Sequence, residues 1–234
     1  MISIFKREVR SYFRTPLGYV IVAVAYFFSG YYFFTYNLYG NTTDLTKLFE
    51  LLFPIVLFLV PVLTMRLMSE EKRSKTDQQL LTAPISRLGI ILGKYFSAVV
   101  VFLIAISGTL VDAIIASFYG KVDWPCVIGN FIGLCLLGLA LISICLFLSS
   151  ITESQVIAAV LGFAVSLFLM LVDAISYVVK SNFLKTFFEY ISFNERYSPF
   201  TLGIVELQNI LFFLTIAALF IAISTALLER KRWN

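Results

Sequence analysis

Ionisable side chains inside apolar stretches are the part of this 234-residue chain best suited to chemistry. Asp112 and Asp173 are the two carboxylates that stand well inside long apolar runs. A carboxylate in such a place is costly to bury, so it either forms hydrogen bonds to neighbouring helices or lines a water-filled cavity. Both interpretations are open from the sequence, and the second predicts a cavity that opens to the outside. A proton relay is disfavoured, because it would require titratable groups at several depths.

Composition excludes the commonest nucleophile and metal arrangements. The chain has no histidine, which removes Ser-His and Cys-His pairs and every zinc site that uses histidine. Its cysteines are Cys126, Cys135 and Cys145, and steps of nine and ten residues place consecutive members on opposite faces of a helix. We therefore predict no catalytic residue, no metal site and no bound cofactor, and we interpret the cysteines as small packing residues.

A glycine-containing stretch gives the nearest approach to a phosphate-binding loop. Gly89 and Gly93 are followed by Lys94 and Tyr95. The ATP-binding loop needs one more residue between its glycines, and a Ser or Thr where Tyr95 stands. The chain is thus predicted not to be an ATPase, and any ATP and Mg²⁺ would be bound by another subunit. Close helix packing is the better interpretation of the glycine pair.

The elements that position these residues follow from the hydropathy pattern. Hydrophobic residues make up 60% of the chain and charged residues 14%, whereas soluble domains carry about 25% charged residues. A soluble domain of this size has no core large enough for so much apolar surface. Six apolar runs match the roughly 20 residues that cross a bilayer. We predict an all-α polytopic membrane protein, a single membrane domain over residues 1–234, with transmembrane helices at 17–36, 48–65, 95–119, 126–151, 156–179 and 209–228.

The distribution of basic residues predicts the orientation of the chain. Of its 18 Lys and Arg residues, 13 fall in the N-terminal segment, in residues 66–94 or at the C-terminus, and five fall on the opposite side. Because cytoplasmic segments are enriched in Lys and Arg, both termini are predicted to be cytoplasmic, with the protein in the cell (cytoplasmic) membrane. This bias accounts for the net charge of +4, so no nucleic-acid partner is implied.

Two segments at the membrane surfaces have the pattern of interfacial helices. In residues 1–16, apolar side chains recur at three- and four-residue steps between basic ones, which predicts an amphipathic helix in the cytoplasmic headgroup layer. It would act as a topology anchor or move with the bundle. Residues 180–208, on the outside, are too apolar and aromatic for water and are predicted to form short interfacial helices. A dip of residues 200–205 toward the membrane would require backbone packed against protein.

The segment after the second apolar run, residues 66–94, changes abruptly to polar composition. Thr76 and Gln79 have the spacing of a capping box, so a short helix is predicted to begin at Asp77, and Pro84 ends it. Four charged residues precede this helix: Glu70, Glu71, Lys72 and Arg73.

A leucine pair makes the predicted short helix unusual for a cytoplasmic loop. Leu80 and Leu81 would be apolar residues outside the membrane, and such residues need a partner surface or the membrane interface. A solvated charged loop is the alternative interpretation. Docking to a cytoplasmic protein accounts better for a capped helix that carries two leucines.

Three blocks of sequence carry a pattern that is more specific than hydropathy. They are residues 5–19, ending in Thr15-Pro16-Leu17-Gly18-Tyr19; residues 61–94, with Glu70-Glu71-Lys72-Arg73, Thr76, Leu80-Leu81-Thr82, Pro84-Ile85-Ser86 and Gly93-Lys94; and residues 198–205 together with 229–233. In these blocks the chain resembles the permease subunits of ABC transporters of the ABC-2 type, and looks closest to the gliding-motility subgroup. Lys75 stands where that family usually has Gly, and Gln78 where it has an acidic residue.

The resemblance implies partners and a role for the loop. It implies a cytoplasmic ABC ATPase dimer, a second permease subunit of the same or a homologous chain, and an auxiliary membrane protein with an extracytoplasmic domain. ATP hydrolysis would drive substrate export or mechanical work on that extracytoplasmic partner. The loop after the second span would carry the coupling helix, and residues 180–208 would cap the translocation path. The ATPase-coupling residues would then be Glu70, Glu71, Lys72, Arg73, Thr76, Leu80, Leu81 and Pro84.

An ATP-independent secondary transporter is the competing class. Such transporters are built from internal repeats with helices broken near the middle of the membrane. The sequence shows no repeat, and Pro54 and Pro61, which stand in the second apolar run, are weak support for a broken helix. The two classes are distinguished by whether an ATPase subunit accompanies the purified protein.

Overall fold

The computed structural model describes residues 1–74, 86–178 and 190–230. These ranges are helical almost throughout and contain no strand. The helices, numbered among the described residues, are α1 (Ile2–Arg14), α2 (Pro16–Tyr32, continued by a π-helical turn Phe33–Leu38), α3 (Thr46–Thr64), α4 (Ser69–Arg73), α5 (Arg87–Ile106), α6 (Gly108–Tyr119), α7 (Trp124–Ile151), α8 (Gln155–Val178), α9 (Phe193–Thr201) and α10 (Leu207–Arg230).

Six helical stretches in the described part of the chain are long and apolar enough to cross a membrane. This confirms the predicted all-α polytopic membrane fold. The third stretch begins at Arg87, so residues 87–94, assigned to the loop by composition, are helical. We call the stretches spans one to six: Pro16–Leu38, Thr46–Arg73, Arg87–Tyr119, Trp124–Ile151, Gln155–Val172 and Leu207–Glu229.

Helix α7 lies at the centre of the bundle, where it packs against α3, α5, α8, α9 and α10. We call the end of the bundle that carries α1 and the last turn of α10 the terminal face, and the opposite end the distal face. At the terminal face, an ion pair of 3.0 Å between Arg87 and Glu229 joins the start of span three to the end of span six.

Span two contains a proline whose missing hydrogen bond is replaced by a neighbouring span. Pro61 has no N–H to donate to the Leu57 carbonyl four residues earlier. The Ser166 hydroxyl of α8 donates to that carbonyl at 2.6 Å. Gly162, one turn away on α8, leaves room for the proline ring, because a Cβ there would lie 2.7 Å from Pro61 Cβ. Spans two and five are therefore fitted to each other around this proline.

A short helix at the distal face is packed into the bundle. The Tyr197 hydroxyl of α9 donates to the Phe49 carbonyl at 3.2 Å, and Asn130 Nδ2 of α7 donates to the Thr201 carbonyl at 3.2 Å. Phe200 is fully buried. The chain leaves α9 through Gly203, whose φ of 76° favours glycine. The backbone of this segment is thus packed against protein, as irregular structure near the membrane requires. Residues 179–189, part of the predicted interfacial segment, lie outside the described residues.

Helix α1 faces the bundle with a stripe that contains a charged residue. Ile4 and Tyr12 are buried, and Glu8, half-way between them at four-residue spacing, lies on the same face. Ile2, in contrast, is exposed. The helix packs against α5 and α2. Its position is therefore set by protein contacts as well as by its amphipathic pattern.

Candidate functional site

The C-terminal end of α3 leaves backbone carbonyls that other elements satisfy. The last carbonyls of a helix have no partner within it. The Tyr12 hydroxyl of α1 donates to the Leu63 carbonyl at 2.8 Å. Lys94 Nζ of α5 donates to the Leu67 carbonyl at 2.5 Å, just beyond the helix end. A cation is favourable at this position, because the carbonyl end of a helix carries partial negative charge. Three elements thus meet where span two ends at the terminal face.

Four charged residues form a connected cluster at this junction, which we call the charge cluster: Arg7, Glu8, Glu71 and Lys94. Lys94 Nζ lies 2.9 Å from Glu71 Oε2 and 3.3 Å from Glu8 Oε1. Arg7 Nη2 contacts both carboxylates, at 2.7 Å for Glu8 and 2.5 Å for Glu71. Two positive and two negative charges are therefore matched, with α1, α4 and α5 contributing to one network.

Three of the four side chains in the charge cluster are largely withdrawn from water, whereas the Arg7 side chain is 52% exposed. The Lys94 side chain is 1% exposed, and the Glu8 and Glu71 side chains are 15% and 14% exposed. Burial by itself lowers the pKa of Arg7, but hydrogen bonds and charge from Glu8 and Glu71 outweigh it and raise that pKa. Removing one partner from a buried ion pair typically costs about 3–5 kcal/mol, because the remaining charge is left uncompensated. The cluster thus resists separation of its three helices.

Arg66 and Tyr12 form a second set of contacts between α1 and the end of span two. The Arg66 guanidinium donates to Thr15 Oγ1 at 2.9 Å and to Ser11 Oγ at 3.1 Å. It also pairs with Glu70 at 3.0 Å and lies 5.9 Å from the centre of the Tyr12 ring. Burial raises the pKa of Tyr12, so its hydroxyl stays protonated and continues to donate to span two.

Span four also contacts this junction, through the C-terminal end of α7. The Ser149 hydroxyl of α7 accepts hydrogen bonds from the backbone N–H groups of Met68 and Ser69, at 3.1 and 3.2 Å. These groups stand at the start of α4, where N–H groups lack helical partners. Lys72 Nζ donates to the Ser150 carbonyl. Helix α4 is therefore attached to α7 on one side and, through Glu71, to α1 and α5 on the other.

The structure divides the predicted coupling residues into two groups. Glu70, Glu71, Lys72 and Arg73 form α4 at the end of span two. Three of them have partners described above, and Arg73 is exposed. The other predicted residues lie outside the described residues: Thr76, Leu80, Leu81 and Pro84.

Residues that the sequence interpretation did not assign to a site complete the charge cluster. The sequence pattern includes Lys94 but predicts no role for it, and it gives no reason to select Glu8 among the basic residues of the first segment. A lysine that stands between the apolar residues Ile90–Leu92 and the apolar run from Tyr95 is itself a hint, because lysine in such a place is rarely buried without a partner. The partner, however, is 86 positions away in sequence and emerges only from the packing of α1 on α5.

Asp112 of span three faces span one. It is 9% exposed and accepts a hydrogen bond from the Ser29 hydroxyl of α2. About a turn and a half away, the Tyr26 and Ser107 hydroxyls are hydrogen-bonded at 2.9 Å, where α5 gives way to α6. The Asp173 side chain, the other predicted cavity-lining carboxylate, lies outside the described part of the chain.

No site for a metal ion is formed by the described residues, since no three acidic or cysteine side chains converge there. The described ranges form a helical membrane bundle. At its terminal face, spans two, three and four contact the N-terminal helix α1 and the short charged helix α4. This architecture defines the class: a polytopic membrane protein with an anchored segment at its terminal face.

The family is shown by sequence comparison. Residues 2–233 match the family model described as ABC-2 family transporter protein. The chain belongs to this family, whose members are the membrane components of ABC transporters, with ATP hydrolysis in a separate subunit that they associate with. No curated protein matches the chain. The prediction of an ABC-2 permease subunit is thereby confirmed.

Proposed function

We propose that this permease couples ATP hydrolysis in a cytoplasmic ABC ATPase dimer to movement of its spans through residues 70–84. Leu80 and Leu81 would insert into an apolar cleft of the ATPase, because a buried apolar side chain contributes about 1.5–3 kcal/mol. Of the charged residues of α4, the exposed Glu70 and Arg73 fix the orientation of this contact more than its affinity. In this proposal Thr76 would cap the coupling helix and Pro84 would end it, as their spacing in the sequence predicts.

The observation that carries this proposal is the anchoring of α4. Glu71 contacts Lys94 on α5 and Arg7 on α1, and Lys72 contacts the end of α7. A ligand shifts a conformational equilibrium only through contacts that differ between states. A displacement of residues 77–83 on nucleotide binding would reach α4 first, and from there α1 and spans three and four. The charge cluster is thus the transmission element of the proposal.

The orientation of the chain belongs to the same proposal. The terminal face, with both termini, is cytoplasmic, and the distal face is outside the cell membrane. Thirteen of 18 basic residues lie on the terminal side by the proposed topology, as the positive-inside rule requires. ATP and Mg²⁺ are bound by the partner ATPase, and this chain holds no cofactor.

The proposal also includes what the transporter does at the distal face. A second permease, identical or homologous, completes the membrane unit. The spans then either export a substrate or perform mechanical work on an extracytoplasmic partner, as in the gliding-motility subgroup. Asp112 acts as a structural residue that holds span three to span one, which the Ser29 contact favours over a cavity-lining role. Asp173 keeps its proposed place as a cavity-lining residue.

Co-purification tests the ATPase contact. Leu80→Asp with Leu81→Asp should detach the ATPase, because two carboxylates would be forced into an apolar cleft. The variant permease should still insert, since the changed residues lie outside the spans. Gln78→Asp with Gln79→Asp is the matched control: it adds the same charge to the same segment, keeps the leucines, and should retain the ATPase. Undiminished ATPase recovery with the leucine variant would contradict the proposal.

A further inference from the structure

A cleft at the distal face is lined mainly by polar and charged side chains. Its volume is about 340 Å³. Side chains of α9 and of the start of α10 line it, and they include one cation, two carboxylates and two amides. The lining residues named here are Glu195, Arg196, Glu206, Gln208 and Asn209, with Tyr190 at one side.

Arg196 is held in the cleft but is not neutralised. Its guanidinium lies 5.5 Å from the centre of the Tyr190 ring and 5.4 Å from that of Phe212. Nη1 donates to Asn209 Oδ1 at 3.3 Å. Within the described ranges, no carboxylate lies within ion-pair distance of Arg196, and its buried Nε has no hydrogen-bond partner. Two aromatic faces therefore orient a guanidinium that has capacity for an anion.

The cleft also contains two carboxylates, those of Glu195 and Glu206. Glu206 accepts a hydrogen bond from Asn209 Nδ2 at 3.1 Å, and the same asparagine accepts from Arg196. Glu195 and Glu206 are exposed toward solvent. Positive and negative groups thus stand in one cleft without neutralising each other. A ligand that carries both an anion and a cation matches this arrangement better than a simple ion does.

If span six crosses a bilayer, its start places the cleft at the level of lipid headgroups. Arg196 contacts Asn209 and Phe212, within the first two turns of α10, so its depth is at most about 8 Å from the start of that helix. The headgroup region extends roughly 5–7 Å on each side of the hydrocarbon core. The chain between the lining residues Pro199 and Gln208 also carries four exposed apolar side chains: Leu202, Ile204, Val205 and Leu207. Such residues suit contact with acyl chains.

We propose that this cleft binds the headgroup of a zwitterionic phospholipid of the phosphoethanolamine type. Arg196 binds the phosphate, for which its planar guanidinium is suited. Glu195 and Glu206 accept hydrogen bonds from the ammonium group, and the apolar side chains nearby contact the acyl chains. The site is independent of how the permease meets its ATPase, because it lies at the opposite end of the bundle.

Lipid retention in nanodiscs tests the proposal. The full-length chain is placed in nanodiscs of equal parts phosphatidylethanolamine and phosphatidylglycerol, released, and analysed by native mass spectrometry. Wild type should retain phosphatidylethanolamine in preference to phosphatidylglycerol. Arg196→Gln should reduce retention of both lipids about tenfold, as expected for loss of a charge-assisted hydrogen bond. Glu206→Gln should remove the preference and leave phosphatidylglycerol retention unchanged. Lys47→Gln, an exposed lysine elsewhere on the distal side, is the control and should change neither.

The source of the bound phosphate is distinguished by soluble probes. Glycerophosphoethanolamine should raise the thermal midpoint of the detergent-solubilised wild type, and inorganic phosphate should not. Equal effects of the two probes would indicate a simple anion site and would overturn the proposal. Absence of lipid preference in wild type would do the same, and would point to a protein segment as the occupant. Glu206→Gln, at an exposed position, keeps the test decisive if Arg196→Gln does not fold.

Discussion

Lys94 of span three and Glu71 of the short helix after span two form an ion pair of 2.9 Å in which the lysine side chain is 1% exposed. Glu8 of the N-terminal helix approaches the same ammonium group at 3.3 Å. One buried cation therefore holds together three elements that are distant in sequence. Glu71 precedes the proposed coupling helix, residues 77–83, by six positions in the chain, so this contact is where a movement of that helix would enter the membrane bundle.

The first prediction concerns the energy of this ion pair. Lys94→Met alone should lower the free energy of unfolding by about 3–5 kcal/mol, because Glu71 and Glu8 lose their buried counter-ion. The double variant Glu71→Gln with Lys94→Met should lose less, since the Arg7–Glu8 pair at 2.7 Å remains and its charges are balanced. Steric-trap or denaturant unfolding in bicelles measures the four free energies of the double-mutant cycle.

A matched control for this cycle is the exposed pair Lys47–Glu50, whose atoms are 3.7 Å apart with side chains 60% and 63% exposed. Its coupling energy should be about 0–1 kcal/mol, the range for ion pairs in water. If the Glu71–Lys94 coupling were as small as that of Lys47–Glu50, the buried cluster would not be the strong contact described.

The second prediction concerns the attachment of the N-terminal helix. Tyr12→Phe removes the hydroxyl that donates to the Leu63 carbonyl at 2.8 Å and leaves that buried carbonyl without this donor. We expect a loss of about 1–3 kcal/mol in the free energy of unfolding. Tyr39→Phe, at a tyrosine that is 85% exposed, should be neutral. Equal effects of the two variants would argue against a structural role for the Tyr12 hydroxyl.

The third prediction concerns Pro61 and Ser166. Ser166→Ala should destabilise the bundle by about 1–3 kcal/mol, because the Leu57 carbonyl loses its donor. In a Pro61→Ala background, residue 61 regains an N–H that donates to the same carbonyl, so Ser166→Ala should have a smaller effect. Additive effects in this double-mutant cycle would show that the serine does not replace the missing helical hydrogen bond.

The fourth prediction concerns orientation. In a background with Cys126, Cys135 and Cys145 replaced by Ala, a cysteine at exposed Thr42 should react in intact cells with a membrane-impermeant thiol reagent. A cysteine at exposed Ser74 should react only after permeabilisation. The two positions lie at opposite ends of span two. Labelling of Ser74→Cys in intact cells would reverse the topology and remove the terminal face from contact with a cytoplasmic ATPase.

Hydropathy was sufficient to predict the fold class, because lipid requires long apolar helices and few other signals compete. The long-range contacts of the site were not predictable in the same way. The amphipathic pattern of residues 2–13 selected the apolar positions, yet the stripe that faces the bundle runs through Ile4, Glu8 and Tyr12. A charged residue on the packed face violates the pattern on which the prediction rests, and only its partner Lys94 explains its place.

The helix at the start of span three also begins earlier than composition predicts. Residues 87–94 contain charge and glycine and were assigned to a loop, but the helix begins at Arg87, with the Ser86 hydroxyl accepting a hydrogen bond from Gly89 N–H at its start. The charge of Lys94 is compatible with a buried helix because two carboxylates meet it there. A sequence window that averages hydropathy cannot register such compensation by distant residues.

The most direct test of the coupling proposal is a distance measurement between spin labels at the distal face. Tyr39→Cys and Leu202→Cys, both exposed, are labelled in a background with Cys126, Cys135 and Cys145 replaced by Ala. Distances are recorded in the complex with its ATPase, without nucleotide and after trapping with ATP and vanadate. The labelled permease with Glu71 and Lys94 intact should show a distance between the two labels that depends on nucleotide. The Glu71→Gln, Lys94→Met variant should bind the ATPase but show no change. An undiminished change in that variant would contradict transmission through the charge cluster.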